Sequence, residues 1–171
     1  TIEGVLNREL SKLLKEDIVV IGASRTDSGV HSYGNVAVFD TNARMPAEKI
    51  SYALNQRLPD DIVVQNSSEI PLDWHPRHCN SRKTYEYRIL NREFPMPQRR
   101  LDTWFVYRKL NIPAMCEAAE QFEGTHDFKS FCSVNTAVED TTRTIYSCEL
   151  KQDGELLTIR ITGSGFLYNM V

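Results

Sequence analysis

The strongest constraint on how this chain folds is the alternation of residue types along residues 82–90, RKTYEYRIL. Tyr85, Tyr87 and Ile89 occupy every second position, and polar or charged residues stand between them. Side chains along a β-strand point alternately to the two faces of a sheet. The segment therefore predicts a strand that presents Tyr85, Tyr87 and Ile89 on one face.

Other segments predict further strands and helices around this one. Residues 145–150 and 156–161 are rich in apolar strand formers and are joined by the turn QDGE, which predicts a hairpin. Helices are predicted after an N-cap at Thr1, from Pro46 to about residue 57, and from Pro113 to about residue 124. This mixture predicts an α+β fold, a mainly antiparallel sheet with packed helices. Shorter strands are predicted at 18–21, 35–41, 62–64 and 102–107, and a new helix is predicted in GFLYNMV, residues 165–171.

The composition indicates a soluble globular protein. The chain has 171 residues, of which 41% are hydrophobic and 25% charged, typical of a domain with its own core. A membrane helix needs about 18 consecutive apolar residues, and no run in the chain approaches that length. The first residues also lack the pattern of a signal peptide. We therefore expect a protein that has no membrane partner.

The four cysteines are widely spaced and form no C-x-x-C pair. We interpret them as reduced, partly buried thiols of a cytoplasmic protein. Zinc binding is the alternative, and the cluster His75, His78 and Cys79 is its candidate site. Because the spacing does not match a zinc motif, we predict no metal site.

Positive charge is concentrated in one part of a chain whose net charge is −3. From Arg77 to Lys109 there are nine Lys or Arg residues and three acidic ones, interleaved with tyrosines and Trp104. Cations mixed with aromatic rings suit a phosphate backbone and stacked bases. The alternative is an ordinary solvated strand face.

The loop ASRTDSGVHS, residues 23–32, follows an apolar stretch and places the guanidinium of Arg25 near the carboxylate of Asp27 in the sequence. A carboxylate such as Asp27, held at the end of a strand, can serve as a nucleophile or a general base. No second acid stands beside it, which argues against a divalent-metal site. Gly29 allows a sharp turn or the close approach of a ligand. The alternative is structural, with the side chain of Asp27 capping its own loop.

The segment SRTDSGVHSYGNVAVFDT, residues 24–41, resembles the signature of the TruA family of tRNA pseudouridine synthases, G-R-T-D-A-G-V-H followed by a G-x-V strand. The first eight positions differ only by Ser24 for Gly and Ser28 for Ala. Four more segments resemble family motifs in the same order, so the resemblance covers essentially the whole chain. They are ALNQRLPDDIVV (53–64), WHPRHCNSRKTYEYRI (74–89), GTHDFKSF (124–131) and GSGFLYNMV (163–171).

The resemblance implies an enzyme that isomerises uridine to pseudouridine in the anticodon stem-loop of tRNA. It implies a cytoplasmic homodimer that uses no cofactor and no metal. It also implies two lobes around a basic cleft. We expect the first lobe at residues 1–76, with the catalytic loop, and the second at residues 77–171, with the tyrosine strand.

The resemblance also assigns roles to individual residues. Asp27 matches the catalytic aspartate, which could attack the sugar, attack the base or remove a sugar proton. Arg25 matches the proposed base-flipping arginine, since a stacked uridine must be extruded and a planar guanidinium can fill the space it leaves. Tyr85 matches the tyrosine that stacks on the flipped base. His31 and Arg77 match motif positions that shape the loop and contact RNA.

The sequence departs from the family pattern at two places. The family has a strand with a Y-D-G-T…G-W-Q loop ahead of the first helix, and an arginine directly after M-V that pairs with the catalytic aspartate. Residues 1–171 contain neither feature. We therefore expect these residues by themselves to fold, to self-associate through an unpaired strand edge and to be catalytically inactive.

Two other functions fit part of the same pattern. A non-catalytic RNA-binding module would share the basic zone and Tyr85 but would not need the acid at Asp27. A small-molecule hydrolase could pair Asp27 with His31 but would have no use for the cations around the tyrosine strand. Replacement of Asp27 by Asn separates an enzyme from a binding module, because only the enzyme loses turnover.

Overall fold

The computed structural model describes residues 1–133 and 138–171. Helices and mainly antiparallel strands both occur, so the predicted α+β class is confirmed. The chain divides into two compact units, Thr1–Asn80 and Ser81–Val171. None of the helices in the described part of the chain has the length and apolarity to cross a lipid bilayer.

The first unit contains two helices and a two-stranded sheet: α1 (Ile2–Leu14), β1 (Ile21–Gly22), β2 (Ala37–Val38) and α2 (Ala47–Asn55). The predicted N-cap is confirmed, because the hydroxyl of Thr1 accepts a hydrogen bond of 3.2 Å from the backbone N–H of Gly4. One face of α1 packs against α2. The buried apolar side chains between them form the core of this unit: Leu10, Leu14, Ile18, Val20, Ile50 and Leu54.

The strand predicted at 18–21 is wrong over most of its length, because the backbone there bonds to side chains of α1. Ser11 Oγ accepts a hydrogen bond of 3.0 Å from the N–H of Ile18, and Asn7 Oδ1 accepts one of 2.8 Å from that of Val20. These donors are satisfied without a partner strand. Strand pairing in this part of the chain begins at Ile21.

The strand predicted at 62–64 is also absent from the described structure, for a similar reason. The side-chain amide of Asn55 donates to the carbonyl of Val64 at 2.9 Å and accepts from its N–H at 2.8 Å. This amide gives Val64 both backbone bonds that a neighbouring strand would provide. The predicted strand 35–41 is confirmed only at Ala37–Val38, where it pairs with β1.

The second unit is built on a five-stranded sheet. Its elements are β3 (Lys83–Asn91), β4 (Trp104–Val106), α3 (Ile112–Glu120), β5 (Gly124–Asp127), β6 (Thr142–Asp153) and β7 (Leu156–Gly163). The strand order is β4-β3-β7-β6-β5, and every pairing is antiparallel except that of β3 with β4. The predicted tyrosine strand and hairpin are confirmed as β3 and as β6 with β7.

The register of β3 against β7 confirms the predicted alternation. Tyr85 lies opposite Ile161 and Ile89 opposite Leu157. Helix α3 packs on β6, and the core of this unit gathers side chains from α3, β6 and the loops that follow β5 and β7. The buried members of this core are Ala119, Phe128, Ile145, Cys148 and Leu167.

Two features of the second unit differ from the sequence prediction. Strand β5 was not predicted; it starts directly at Gly124, whose φ of +106° favours glycine. The predicted helix in residues 165–171 is wrong. There the chain turns at Asn169, which has a φ of +58°, and the N–H of Met170 donates to the carbonyl of Leu167 at 3.1 Å.

Candidate active site

The candidate catalytic residues lie in a loop that connects the two short strands of the first unit. Strands β1 and β2 are antiparallel, with Gly22 opposite Ala37. The N–H of Ala23 donates to the carbonyl of Val36 at 2.8 Å, which extends the pairing by one hydrogen bond. Residues 24–35 therefore leave and re-enter the unit at neighbouring points, and we call them the catalytic loop.

The tip of the catalytic loop is a turn closed by main-chain atoms. The N–H of Val30 donates to the backbone carbonyl of Asp27 at 3.2 Å, and Gly29 has a φ of +84°. The alternative in which the side chain of Asp27 caps the loop is therefore not observed. Among the described residues of the first unit, the exposed carboxylate of Asp27 has no hydrogen-bond or ion-pair partner. An acid in this state is available to a substrate.

Arg25 and His31 flank Asp27 in the same loop, and both are exposed. Arg25 supplies a guanidinium two positions before the carboxylate of Asp27, and His31 supplies an imidazole after the turn. These three predicted site residues therefore lie on one loop.

Arg77 lies 55 positions from Gly22 in sequence and is bonded to the start of the catalytic loop. Its Nε donates to the carbonyl of Gly22 at 2.9 Å, and its own N–H donates to Nδ1 of His75 at 3.2 Å. The ring of His75 stacks on that of His78, with centroids 4.4 Å apart. Arg77 thus joins the W-H-P-R segment to the strand that precedes Asp27.

The residues considered as a zinc cluster make other contacts in this structure. His75 and His78 are stacked, and Cys79 Sγ donates to the carbonyl of Pro76 at 3.4 Å. Within residues 1–133 and 138–171, no three His, Cys, Asp or Glu side chains are arranged to hold a metal ion. All four cysteines are free thiols, and burial together with the carboxylate of Glu123 raises the pKa of the Cys148 thiol.

Tyr85 lies in the second unit, on β3. Its ring is half-buried and meets the ring of Phe166 edge-on, with centroids 5.0 Å apart. Its neighbour on the same face, Tyr87, meets Trp104 of β4 in the same way at 6.4 Å. The edge-to-face contact with Phe166 orients the Tyr85 ring, and the residue stays partly exposed.

The basic zone is partly neutralised by its own acids. Arg88 pairs with Glu86 at 2.7 Å, and Asp102 lies within 3.5 Å of both Arg88 and Arg99. Arg92 also forms an ion pair, with Glu155 at 3.0 Å. The remaining cations of the zone have no carboxylate partner among the described residues; they are Arg77, Arg82, Lys83, Arg100, Arg108 and Lys109. A count of basic residues in the sequence therefore overstates the charge available to a polyanion.

The segment GTHDFKSF contains an acid with a structural role. The carboxylate of Asp127 accepts hydrogen bonds from the Thr141 hydroxyl and from the backbone N–H of Lys129, the residue that starts the short 3-10 helix Lys129–Phe131. These bonds, the one from Thr141 first, lower the pKa of Asp127. We assign this acid to the fold and not to the reaction.

One residue at the end of the catalytic loop, Asn35, was not identified from the sequence. The side-chain amide of Asn35 donates to the carbonyl of Ser24 at 3.0 Å, across the base of the loop. The sequence signal was its position inside the G-x-V motif, where the chain returns from the loop to β2.

Comparison with known proteins agrees with this architecture. The model of a family described as tRNA pseudouridine synthase matches residues 1–78 and 118–171. The protein named tRNA pseudouridine synthase A of Thermoanaerobacter sp. (strain X514) is 44% identical over 171 residues, which is all of this chain and 70% of the relative. Proteins of the same name from Anoxybacillus flavithermus and Geobacillus kaustophilus are 45% and 44% identical, again over all of this chain and over 70% and 67% of the relatives.

This α+β chain thus falls in a class of RNA-modifying isomerases. The chain belongs to the tRNA pseudouridine synthase family. The predicted resemblance and the predicted enzyme class are both confirmed.

Proposed function

We propose that this protein isomerises uridine to pseudouridine in the anticodon stem-loop of tRNA, with Asp27 as its essential catalytic group. The observation that carries the proposal is the carboxylate of Asp27. It is exposed, lacks a structural partner within the first unit and lies on a loop fixed at its base. The family to which the chain belongs supports tRNA as the substrate.

The reaction is balanced without an external reactant. The bond between N1 of uracil and C1′ of ribose breaks, the base turns within the site, and a bond forms between C5 and C1′. The hydrogen at C5 leaves as a proton to solvent and N1 gains a proton, so no electrons are exchanged. Asp27 acts in this sequence as nucleophile or as base.

The other candidate residues are assigned supporting roles. We propose that Arg25 occupies the space left by the flipped uridine, since its guanidinium is exposed and planar. Arg77 uses Nε on Gly22, and its terminal nitrogens have no partner among the described residues, so they are open to a phosphate. His31 is proposed to shape the loop. The homodimer, the basic cleft and the cytoplasmic location stay predictions.

The proposal is tested with the chain extended at both ends, which is the form expected to be active and is the unmodified protein of every assay below. Its substrate is a tRNA transcript that carries tritium at C5 of its uridines. Each pseudouridine formed releases one tritium to water, so release measures turnover directly. A matched transcript has cytidine in place of the anticodon stem-loop uridines, with compensating changes in the stem. We expect release from the first transcript only. Equal release from both transcripts would contradict the anticodon stem-loop as the target.

Two substitutions of Tyr85 should distinguish the contribution of its ring from that of its hydroxyl. The hydroxyl has no hydrogen-bond partner among the described residues, so Tyr85→Phe should keep tRNA affinity and the packing against Phe166. Tyr85→Leu removes the π-face and should weaken productive binding by about 1–3 kcal/mol, or about 5–150-fold in kcat/KM. Equal behaviour of the Phe and Leu variants in tritium release and filter binding would show that Tyr85 is only a packing residue.

Affinity for tRNA should fall steeply with salt, because cations of the basic zone displace counterions from phosphates. The ion pairs described above predict which cations matter. Arg108→Gln removes a cation without an acidic partner and should reduce the slope of log affinity against log salt by about 1. Arg99→Gln, which removes a cation already paired with Asp102, should change the slope little. A flat salt dependence in the unmodified protein would contradict the assignment of this zone to RNA.

A further inference from the structure

We propose that Asn35 is a positioning residue for the reaction, because its side-chain amide fixes the base of the catalytic loop and thereby the location of Asp27. Asn35 Nδ2 donates to the carbonyl of Ser24 at 3.0 Å, and its Oδ1 accepts from the N–H of Val36 at 3.0 Å. The inference rests on the proposed catalytic role of Asp27.

The position of this hydrogen bond in the loop is the basis of the argument. The main-chain bond between Ala23 and Val36 is the last that belongs to the β1–β2 pairing. The bond of Asn35 to Ser24 lies one step further toward the tip, where the two chain segments separate. It therefore extends the fixed part of the loop to within three residues of Asp27.

A second hydrogen bond fixes the orientation of the Asn35 amide. Since Oδ1 is held by the N–H of the next residue, Val36, the amide plane is fixed and Nδ2 is directed toward Ser24. Arg77 adds a second contact, through its bond to the carbonyl of Gly22. Together these contacts hold the chain just before Asp27 at two carbonyls, those of Gly22 and Ser24, with Ala23 between them.

A reaction in which the uracil base turns within the site depends on the exact position of the Asp27 carboxylate. A displacement of about 1 Å at a catalytic group can cost about 100-fold in rate. The bond from Asn35 lies at an exposed site and buries little surface, so its loss should affect placement of Asp27 far more than folding. The expected signature is a lower kcat at nearly unchanged KM.

Asn35→Asp is the sharpest test, because it keeps the shape of the side chain and the acceptor for Val36. The donor is replaced by an oxygen, which then faces the carbonyl oxygen of Ser24. Asn35→Ala removes both bonds without adding charge. Asn35→Gln keeps an amide donor on a longer side chain. A matched control is Asn66→Asp, since Asn66 Oδ1 accepts from the N–H of the next residue, Ser67, at 2.9 Å but lies outside the catalytic loop.

We expect kcat for tritium release to fall about 10–100-fold in Asn35→Asp and Asn35→Ala, with KM within about threefold of the unmodified protein. Asn35→Gln should recover a substantial part of the lost kcat, and Asn66→Asp should match the unmodified protein. Thermal unfolding midpoints of all four variants should lie close together, which separates placement from stability.

Three results would overturn the inference. The first is a kcat within about twofold of the unmodified protein for both Asn35→Asp and Asn35→Ala. The second is a rise in KM with kcat unchanged, which would make Asn35 a substrate contact. The third is a kcat for Asn35→Gln as low as that for Asn35→Ala, which would exclude the donor to Ser24 as the cause. Asp27→Asn, measured in parallel, tests the proposed function separately: if it stays active, the proposed function fails, whatever Asn35 does.

Discussion

Replacing Asp27 with asparagine is expected to lower pseudouridine formation by at least about 1,000-fold while the protein stays folded. A removed nucleophile or base is rarely replaced by another group, and asparagine can serve as neither. The fold should tolerate the change, because the turn at the loop tip is closed by the backbone carbonyl of Asp27 and not by its carboxylate. Tritium release from tRNA and circular dichroism measure the two parts of this prediction.

The matched control is Asp60→Asn, which removes the same charge from an exposed turn of the first unit. It should leave turnover unchanged. Affinity for tRNA should survive in Asp27→Asn, since the cations and Tyr85 are untouched. Activity within tenfold of the unmodified protein would contradict the catalytic role of Asp27. If the unmodified protein binds tRNA but releases no tritium, the RNA-binding module is the better description.

The second large effect is expected on stability. Leu157 is 1% exposed and lies in the middle of the sheet, opposite Ile89 on β3 and Gln152 on β6. Leu157→Ala leaves a cavity that flanking strands cannot close, and should lower the free energy of unfolding by about 2–5 kcal/mol. Urea titration followed by the fluorescence of Trp104, in a background with Trp74→Phe, reports on the second unit.

The control for this prediction is Leu101→Ala, in the same unit. Leu101 is 69% exposed, so the same substitution removes little buried surface. Its effect should stay within about 0.5 kcal/mol. A loss below about 1 kcal/mol for Leu157→Ala would mean that the interior of the sheet rearranges to fill the space.

Local sequence pattern was sufficient to predict two regular elements, β3 and α1. The alternation of Tyr85, Tyr87 and Ile89 predicted β3, and the helical spacing after Thr1 predicted α1 with its cap. The two-residue period of a strand and the roughly 3.6-residue period of a helix are set by backbone geometry. Each can therefore be recognised within one segment of sequence. The R-T-D loop could likewise be predicted as a candidate site, because its residue types and its place after an apolar stretch are local features.

Local pattern failed where a distant side chain supplied the backbone partner. Residues 18–20 and 62–64 have strand-like composition, yet they pair with no strand. The backbone N–H groups of Ile18, Val20 and Val64 donate to side chains instead, those of Ser11, Asn7 and Asn55. Strand β5 was missed for the opposite reason, since its residues pair with β6 although their sequence, GTHD, has little strand character. Such partners lie outside the segment itself. The strand propensity of a few residues is too weak to outweigh the hydrogen bonds that these partners provide.

The sequence by itself determined the family, the α+β class and the residues of the candidate site, because motifs and periodicity are properties of neighbouring positions. Only the tertiary structure decided that the carboxylate of Asp27 is free of its own loop and that Arg77 and Asn35 hold the carbonyls that precede it. It also decided which cations of the basic zone are already paired. These properties depend on where side chains lie in three dimensions. Some of the partners, such as Gly22 and Arg77, are 55 positions apart in the sequence and meet only when the chain folds.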